Sequence, residues 1–189
     1  MCSSDLEKRK PLFELELSLI TPMFGGGFSP REIDPERPVN AKEVRGHLRF
    51  WWRACHAHRY PDTEAMFRDE ALLFGQASGD KTGLGPGVVD VLAASSGLQT
   101  MRTNELRDSG GLFGAWSRRH EEYNWRPHPS YALFPFIEGS PNPEFAKTLA
   151  ITLEIHGSAT PTQGADLKRA LSAWVLLGGI GSRTRRGCG

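Results

Sequence analysis

The chain has 189 residues, enough for one domain of ordinary size, and its 23 Lys and Arg against 22 Asp and Glu leave a net charge of +1. Aromatic content of 10% can close a core, which argues against disorder, and no apolar run is long enough to cross a bilayer. A balance this close to neutral argues against a uniformly basic nucleic-acid binder.

Residues 1–11 are polar and aperiodic, so a flexible leader is expected, with one domain over residues 12–189. Phe13, Leu15, Leu17 and Leu19 alternate with Glu14, Glu16 and Ser18, the period of a half-buried strand. The run stops at Thr21-Pro22-Met23-Phe24-Gly25-Gly26-Gly27, a loop of unusual backbone freedom, and Pro30, Pro35 and Pro38 keep the next stretch irregular.

A helix is predicted from Asn40 to about His58. Asn is a favoured N-cap, Glu43 stands at the third position, and Val39 can staple against Val44. Residues 76–87 read as a long loop, and residues 88–93 as a second strand. Residues 97–130 are charged and weakly periodic, which predicts an insertion. An edge strand is expected at residues 131–137, where Pro135 would interrupt a ladder.

Leu149, Ile151, Leu153 and Ile155 alternate with Ala150, Thr152, Glu154 and His156, the clearest strand signal in the chain. Thr160-Pro161-Thr162-Gln163 then fits a capping box with Pro in the first turn. Leu167, Ala170, Leu171, Trp174 and Val175 form one apolar face, and Gly178-Gly179 ends the helix. This order predicts an α+β fold: a ferredoxin-like, RRM-related split βαβ with an antiparallel sheet, helices on one face and a large insertion. A closing strand would follow the second helix, and the sequence stops before it. The expectation is a truncated chain or a closing strand supplied from elsewhere.

The first helix segregates its charge. Placing Val44 at 0° on a wheel puts Leu48, Trp51 and Cys55 within about 40° of it, a narrow core stripe. Lys42, Arg45, Arg49, Arg53 and His56 fall together in an arc of about 80° on another face, Glu43 lies far from them, and Trp52 borders both faces. Guanidinium groups grip phosphates and an indole stacks on bases, so this arc is a candidate nucleic-acid surface. A solvated charged face would look the same on a wheel.

The end of the chain, Gly179-Ile180-Gly181-Ser182-Arg183-Thr184-Arg185-Arg186-Gly187-Cys188-Gly189, couples backbone freedom to three arginines and no acid. Glycines allow N–H groups to approach an anion. Walker and dinucleotide-binding patterns both fail here, since no Gly-Lys-Ser/Thr follows and the loop ends a helix instead of starting one.

Catalytic patterns are scarce. His56 could act as a general base in metal-free RNA cleavage, whereas His47 and His58 are expected as neutral residues packed at the helix edge. Cys2, Cys55 and Cys188 are widely spaced with no C-x-x-C pair, which gives neither a disulfide framework nor a zinc site and fits a reducing cytoplasm. No metal, cofactor, secretory signal or membrane segment is expected.

Residues 179–189 resemble the glycine-rich signature of the RAMP superfamily of CRISPR proteins: Gly, apolar, Gly, five residues including basic ones, Gly, any, Gly. The phrase Val44-Arg45-Gly46-His47-Leu48-Arg49-Phe50-Trp51-Trp52-Arg53 resembles the first-helix signature of the first Cmr-type subunits of type III-B effector complexes. Residues 21–27 and Leu73-Phe74-Gly75 resemble further motifs of that family. The resemblance implies a ferredoxin-like subunit of an RNA-guided antiviral complex, with guide RNA, target RNA and other RAMP subunits as partners and with cutting done by another subunit.

The candidate RNA-binding residues are Lys42, Arg45, Arg49, Trp52, Arg53 and His56 on the helix, with Gly179, Gly181, Arg183, Arg185, Arg186, Gly187 and Gly189 in the loop. Relatives that share the loop imply a second reading, a metal-independent endoribonuclease, and a third is a structural adaptor for another subunit. The charge then divides unevenly. Residues 40–60 carry +4 and residues 179–189 carry +3, which leaves −6 on the other 157 residues. A mildly acidic body with one basic face fits the balance.

Overall fold

In the computed structural model, residues 10–24, 32–76, 85–102 and 144–181 are described. Residues 1–9 of the expected leader, the glycines at 25–27, most of the 97–130 insertion, the 131–137 strand and residues 182–189 lie outside them.

The elements follow as β1 (Phe13–Ser18), α1 (Ala41–His56), α2 (Thr63–Phe74), β2 (Val89–Arg102), β3 (Glu144–Gly157) and α3 (Pro161–Leu177), with a single 3-10 turn, Ala57–Arg59, after α1. The three strands form one sheet in the order β1-β3-β2. The third strand in sequence thus lies between the first two, which is the split that a ferredoxin-like α+β fold requires. β1 and β3 run antiparallel: Leu12 N–H donates to Ile155 O at 2.7 Å and Leu19 N–H to Leu149 O at 3.3 Å. Pairing resumes past the end of β1, where Met23 and Ala146 exchange two backbone bonds of 2.9 Å in an antiparallel bridge.

The alternation read in β1 is present, with Phe13, Leu15 and Leu17 half-buried and Glu14, Glu16 and Ser18 exposed. β3 buries Leu149, Ile151, Leu153 and Ile155 and extends beyond the predicted run at both ends. β2 is also longer than expected and reaches Arg102, so residues 97–102 are strand and not insertion.

Two compact units divide the chain. The first comprises residues 1–17, 39–94 and 152–178 and holds α1, α2 and α3. Its core includes Leu48, Leu73, Phe74, Leu153, Ile155, Leu167 and Trp174, each no more than 2% exposed. Each such aliphatic side chain contributes about 1.5–3 kcal/mol by leaving water. The second comprises residues 18–38, 95–151 and 179–189. There Met23, Phe24, Phe145 and Ala146 are buried, the rings of Phe24 and Phe145 lie 5.2 Å apart, and Ile33 N–H donates to the Glu144 carboxylate at 3.2 Å.

α3 begins as its sequence dictates. Thr160 Oγ1 accepts from Gln163 N–H at 3.3 Å, Gln163 Oε1 accepts from Thr160 N–H at 2.9 Å, and Pro161 occupies the first turn.

Candidate nucleic-acid interface

α1 starts at Asn40, whose side-chain oxygen accepts from Lys42 N–H at 2.9 Å. Its buried stripe is Val44, Leu48, Trp52 and His56, spaced by four. That differs from the expected Val44, Leu48, Trp51 and Cys55; Trp51 and Cys55 are half-buried. The stripe turns because α1 packs against two neighbours, α3 and α2. Hydrophobic periodicity gives no sign of this second neighbour.

α2 caps on Asp62, whose side chain accepts from Ala65 N–H at 2.8 Å, and it ends at Gly75. Its buried positions are Met66, Glu70, Ala71, Leu73 and Phe74. Asp62 as N-cap and Gly75 as terminator were available signals, but Glu70 interrupts the apolar stripe that would have connected them.

Glu70 is 0% exposed and lies beside the candidate basic face of α1. Arg49 Nε donates to its Oε1, and Arg53 Nη1 donates to Oε1 at 2.8 Å and to Oε2 at 2.9 Å. Arg49 also donates through Nη1 to the Gly75 carbonyl at 3.2 Å, and the Arg53 guanidinium lies 6.0 Å from the Phe67 ring centre. The expectation of a basic arc without compensating acid is therefore corrected: two of its arginines face a buried carboxylate from α2. Both remain about one-third exposed.

Lys42 is exposed and Arg45 half-buried, and neither meets a carboxylate among the described residues. Arg45 lies over a tight backbone crossing. Gly75 has φ +79°, which favours glycine, and a Cβ there would stand 2.5 Å from Gly87 N and 3.1 Å from Arg45 Nη2. Gln76 N–H donates to Gly85 O at 3.2 Å, so the two strands of the loop meet at its base beside α1.

His56 and Trp52 require correction. The wheel put His56 on the exposed arc and Trp52 at its border, yet they are 0% and 3% exposed. His56 Nδ1 donates to Trp52 O at 2.8 Å, and Nε2 lies 3.2 Å from Asp166 Oδ1 of α3. Arg59 Nη1 reaches the same oxygen at 2.9 Å and Arg169 at 3.7 Å. Burial pushes the His56 pKa below its ordinary value, against the pull of the Trp52 carbonyl and Asp166. The indole of Trp52 lies 5.3 Å from the His56 ring and 6.0 Å from Tyr60, so its faces are spent on packing. Tyr60 donates to Asp69 at 2.9 Å, and burial with that bond pushes its pKa up to about 12.

His47 is packed as expected, stacked on Trp174 with ring centres 6.2 Å apart, whereas His58 is exposed and not packed.

In the second unit, Gly179 and Gly181 are half-buried. Gly181 has φ +104°, and a Cβ there would stand 2.6 Å from Phe24 O and 2.7 Å from Met23 Cγ. Its lack of a side chain is thus required by the approach of the 23–24 backbone. Arg183, Arg185, Arg186, Gly187 and Gly189 lie outside the described residues. Among the described residues no cluster of His, Cys, Asp or Glu could hold a metal ion, and no helix is long and apolar enough to cross a membrane.

The family model of the RAMP superfamily matches residues 16–189. The chain belongs to the RAMP superfamily. Among solved structures, this RAMP chain is similar in fold to apo Cmr1 from Pyrococcus furiosus, with a TM-score of 0.55 and 19% sequence identity. The match covers 93% of this chain and 47% of that one, so the RAMP chain spans about half the length of that structure. A search of curated proteins gives no match. The order β1-β3-β2 with its helices agrees with the ferredoxin-like fold expected of a RAMP protein.

Proposed function

We propose that this RAMP protein is a non-catalytic RNA-binding subunit of a type III-B CRISPR effector complex, where it helps to hold guide RNA and capture target RNA in antiviral defence. The observation that carries the reading is the cationic face of α1: Lys42, Arg45, Arg49 and Arg53 share one arc, and among the described residues Glu70 of α2 pairs with Arg49 and Arg53 and leaves Lys42 and Arg45 without a carboxylate partner. Guanidinium and ammonium groups on one helix face match the spacing and charge of a nucleic-acid backbone. Arg183, Arg185 and Arg186 add charge in the glycine-rich segment. Similarity to Cmr1 supports other RAMP subunits of the complex as partners, and the cysteine usage is in keeping with the cytoplasm.

Catalysis by His56 is disfavoured, because a base with no exposed surface cannot reach a ribose hydroxyl. Binding of a labelled oligouridylate across a salt series tests the reading. Wild type should give a falling line of log K against log[salt], and Arg183, Arg185 and Arg186 replaced together by Ala should flatten it by about 2, at roughly 0.7 per lost phosphate contact. A salt-independent wild type would overturn RNA binding and favour an adaptor role. Cleavage of that RNA in EDTA would overturn the non-catalytic assignment.

A further inference from the structure

Glu70 is an unusual residue for the interior of a helix pair. A carboxylate with no exposed surface is costly unless paired, and here every bond it makes among the described residues goes to a guanidinium of α1. The pairing has two effects on the cationic face. It neutralises one of the two charges that Arg49 and Arg53 carry, and it fixes both side chains against α2. Arg49 is fixed further by its bond to the Gly75 carbonyl. A phosphate approaching Arg49 or Arg53 must compete with a charge-assisted bond that is already made.

Arg45 stands one helical turn before Arg49, and its Nη2 lies 3.1 Å from where a Cβ at Gly75 would stand. Lys42 precedes it by three residues and is exposed. Among the described residues, these two cations meet no carboxylate that they would have to leave.

Building on the RNA-binding reading, we propose that Glu70 is a positioning residue that withdraws Arg49 and Arg53 from the RNA and leaves Lys42 and Arg45 as the phosphate-contacting cations of α1. The basic arc thus divides into a structural half next to α2 and a ligand-facing half nearer the start of the helix.

The test uses the full chain, a labelled oligouridylate and a salt series, with a thermal melt of each variant. Arg45→Ala and Lys42→Ala should each flatten the slope by about 0.7 and leave the melt near wild type. Arg53→Met should lower the melting temperature and leave the slope unchanged. Glu70→Gln should release both arginines and steepen the slope by up to about 1.4, which a merely structural carboxylate would not do. Should Glu70→Gln fail to fold, Arg49→Met tests the same pair: it should lower the melting temperature and leave the slope unchanged, and a slope flattened as much as by Arg45→Ala overturns the assignment. A steep wild-type slope that Arg45→Ala leaves intact, or that Arg53→Met flattens equally, overturns the assignment alone. A flat wild-type slope overturns RNA binding, and the assignment with it.

Discussion

Gly87 tests how closely the base of the 75–87 loop is packed. A Cβ added there would stand 2.3 Å from Gly75 N, 2.4 Å from Phe74 C and 2.5 Å from Leu73 O. All three are backbone atoms, so no rotamer change relieves the contact, and the two chain segments would have to separate by about 1 Å to reach ordinary van der Waals distance. Overpacking of this kind costs about 1–3 kcal/mol. Separation also stretches Gln76 N–H to Gly85 O and Val88 N–H to Leu72 O, both 3.2 Å, each contributing about 1 kcal/mol. Gly87→Ala should therefore destabilise by about 2–4 kcal/mol and lower the melting temperature by about 5–15 °C for a chain of this length. Gly85 is the control, since a Cβ there meets nothing within 4 Å. Gly85→Ala should change stability by less than about 0.5 kcal/mol. Calorimetric melts of the three proteins decide the matter. If Gly87→Ala melts with Gly85→Ala, the crossing is not the tight contact described, and the placement of Arg45 over it loses its support.

His56 gives the chain a pH dependence with a definite sign. Its folded pKa lies below the ordinary 6.5, so on acidification the unfolded chain takes up the proton first, and stability falls as pH drops below about 6.5. Asp166 faces this ring and favours its charged form, whereas Arg59 and Arg169 oppose it, and burial outweighs the pull of Asp166. Denaturant melts of wild type between neutral pH and pH 5 should show the loss, and His56→Gln should show a smaller slope; equal slopes would refute it. At the start of α3, Thr160→Ala removes the hydroxyl that accepts from Gln163 N–H and should cost about 1 kcal/mol by chemical denaturation, whereas Thr160→Ser should cost little.

What was legible in the sequence followed from local chemistry. Asn40 and Thr160 declare their helices because capping involves residues only two or three positions apart, and β3 declares itself by strict alternation. The limits were set by tertiary contacts. α2 escaped notice because its buried face contains Glu70, a residue that reads as a solvent-facing charge until Arg49 and Arg53 are seen around it. The same omission rotated the wheel. With two adjacent tryptophans, Trp51 and Trp52, periodicity alone could not choose which turns inward, and the packing of α2 beside α1 selects Trp52. Trp52 and His56 consequently moved from the candidate surface into the core, while Lys42, Arg45, Arg49 and Arg53 kept exposed area on it. β2 outran its predicted end because Ser95, Ser96 and Gly97 carry no apolar alternation to mark a strand.

The ion pair between Arg59 and Asp166 joins residues 107 apart in sequence, whereas Arg49 and Glu70 are 21 apart. Closing the longer loop costs about 1.4 kcal/mol more in chain entropy, so the α1–α2 pair is favoured to form before α3 docks. The same logarithm makes the long loop forgiving. Each doubling of the chain between α1 and α3 would add only about 0.6 kcal/mol, so segments inserted between β2 and β3 can change length while the pairing of α1 with α3 keeps its geometry.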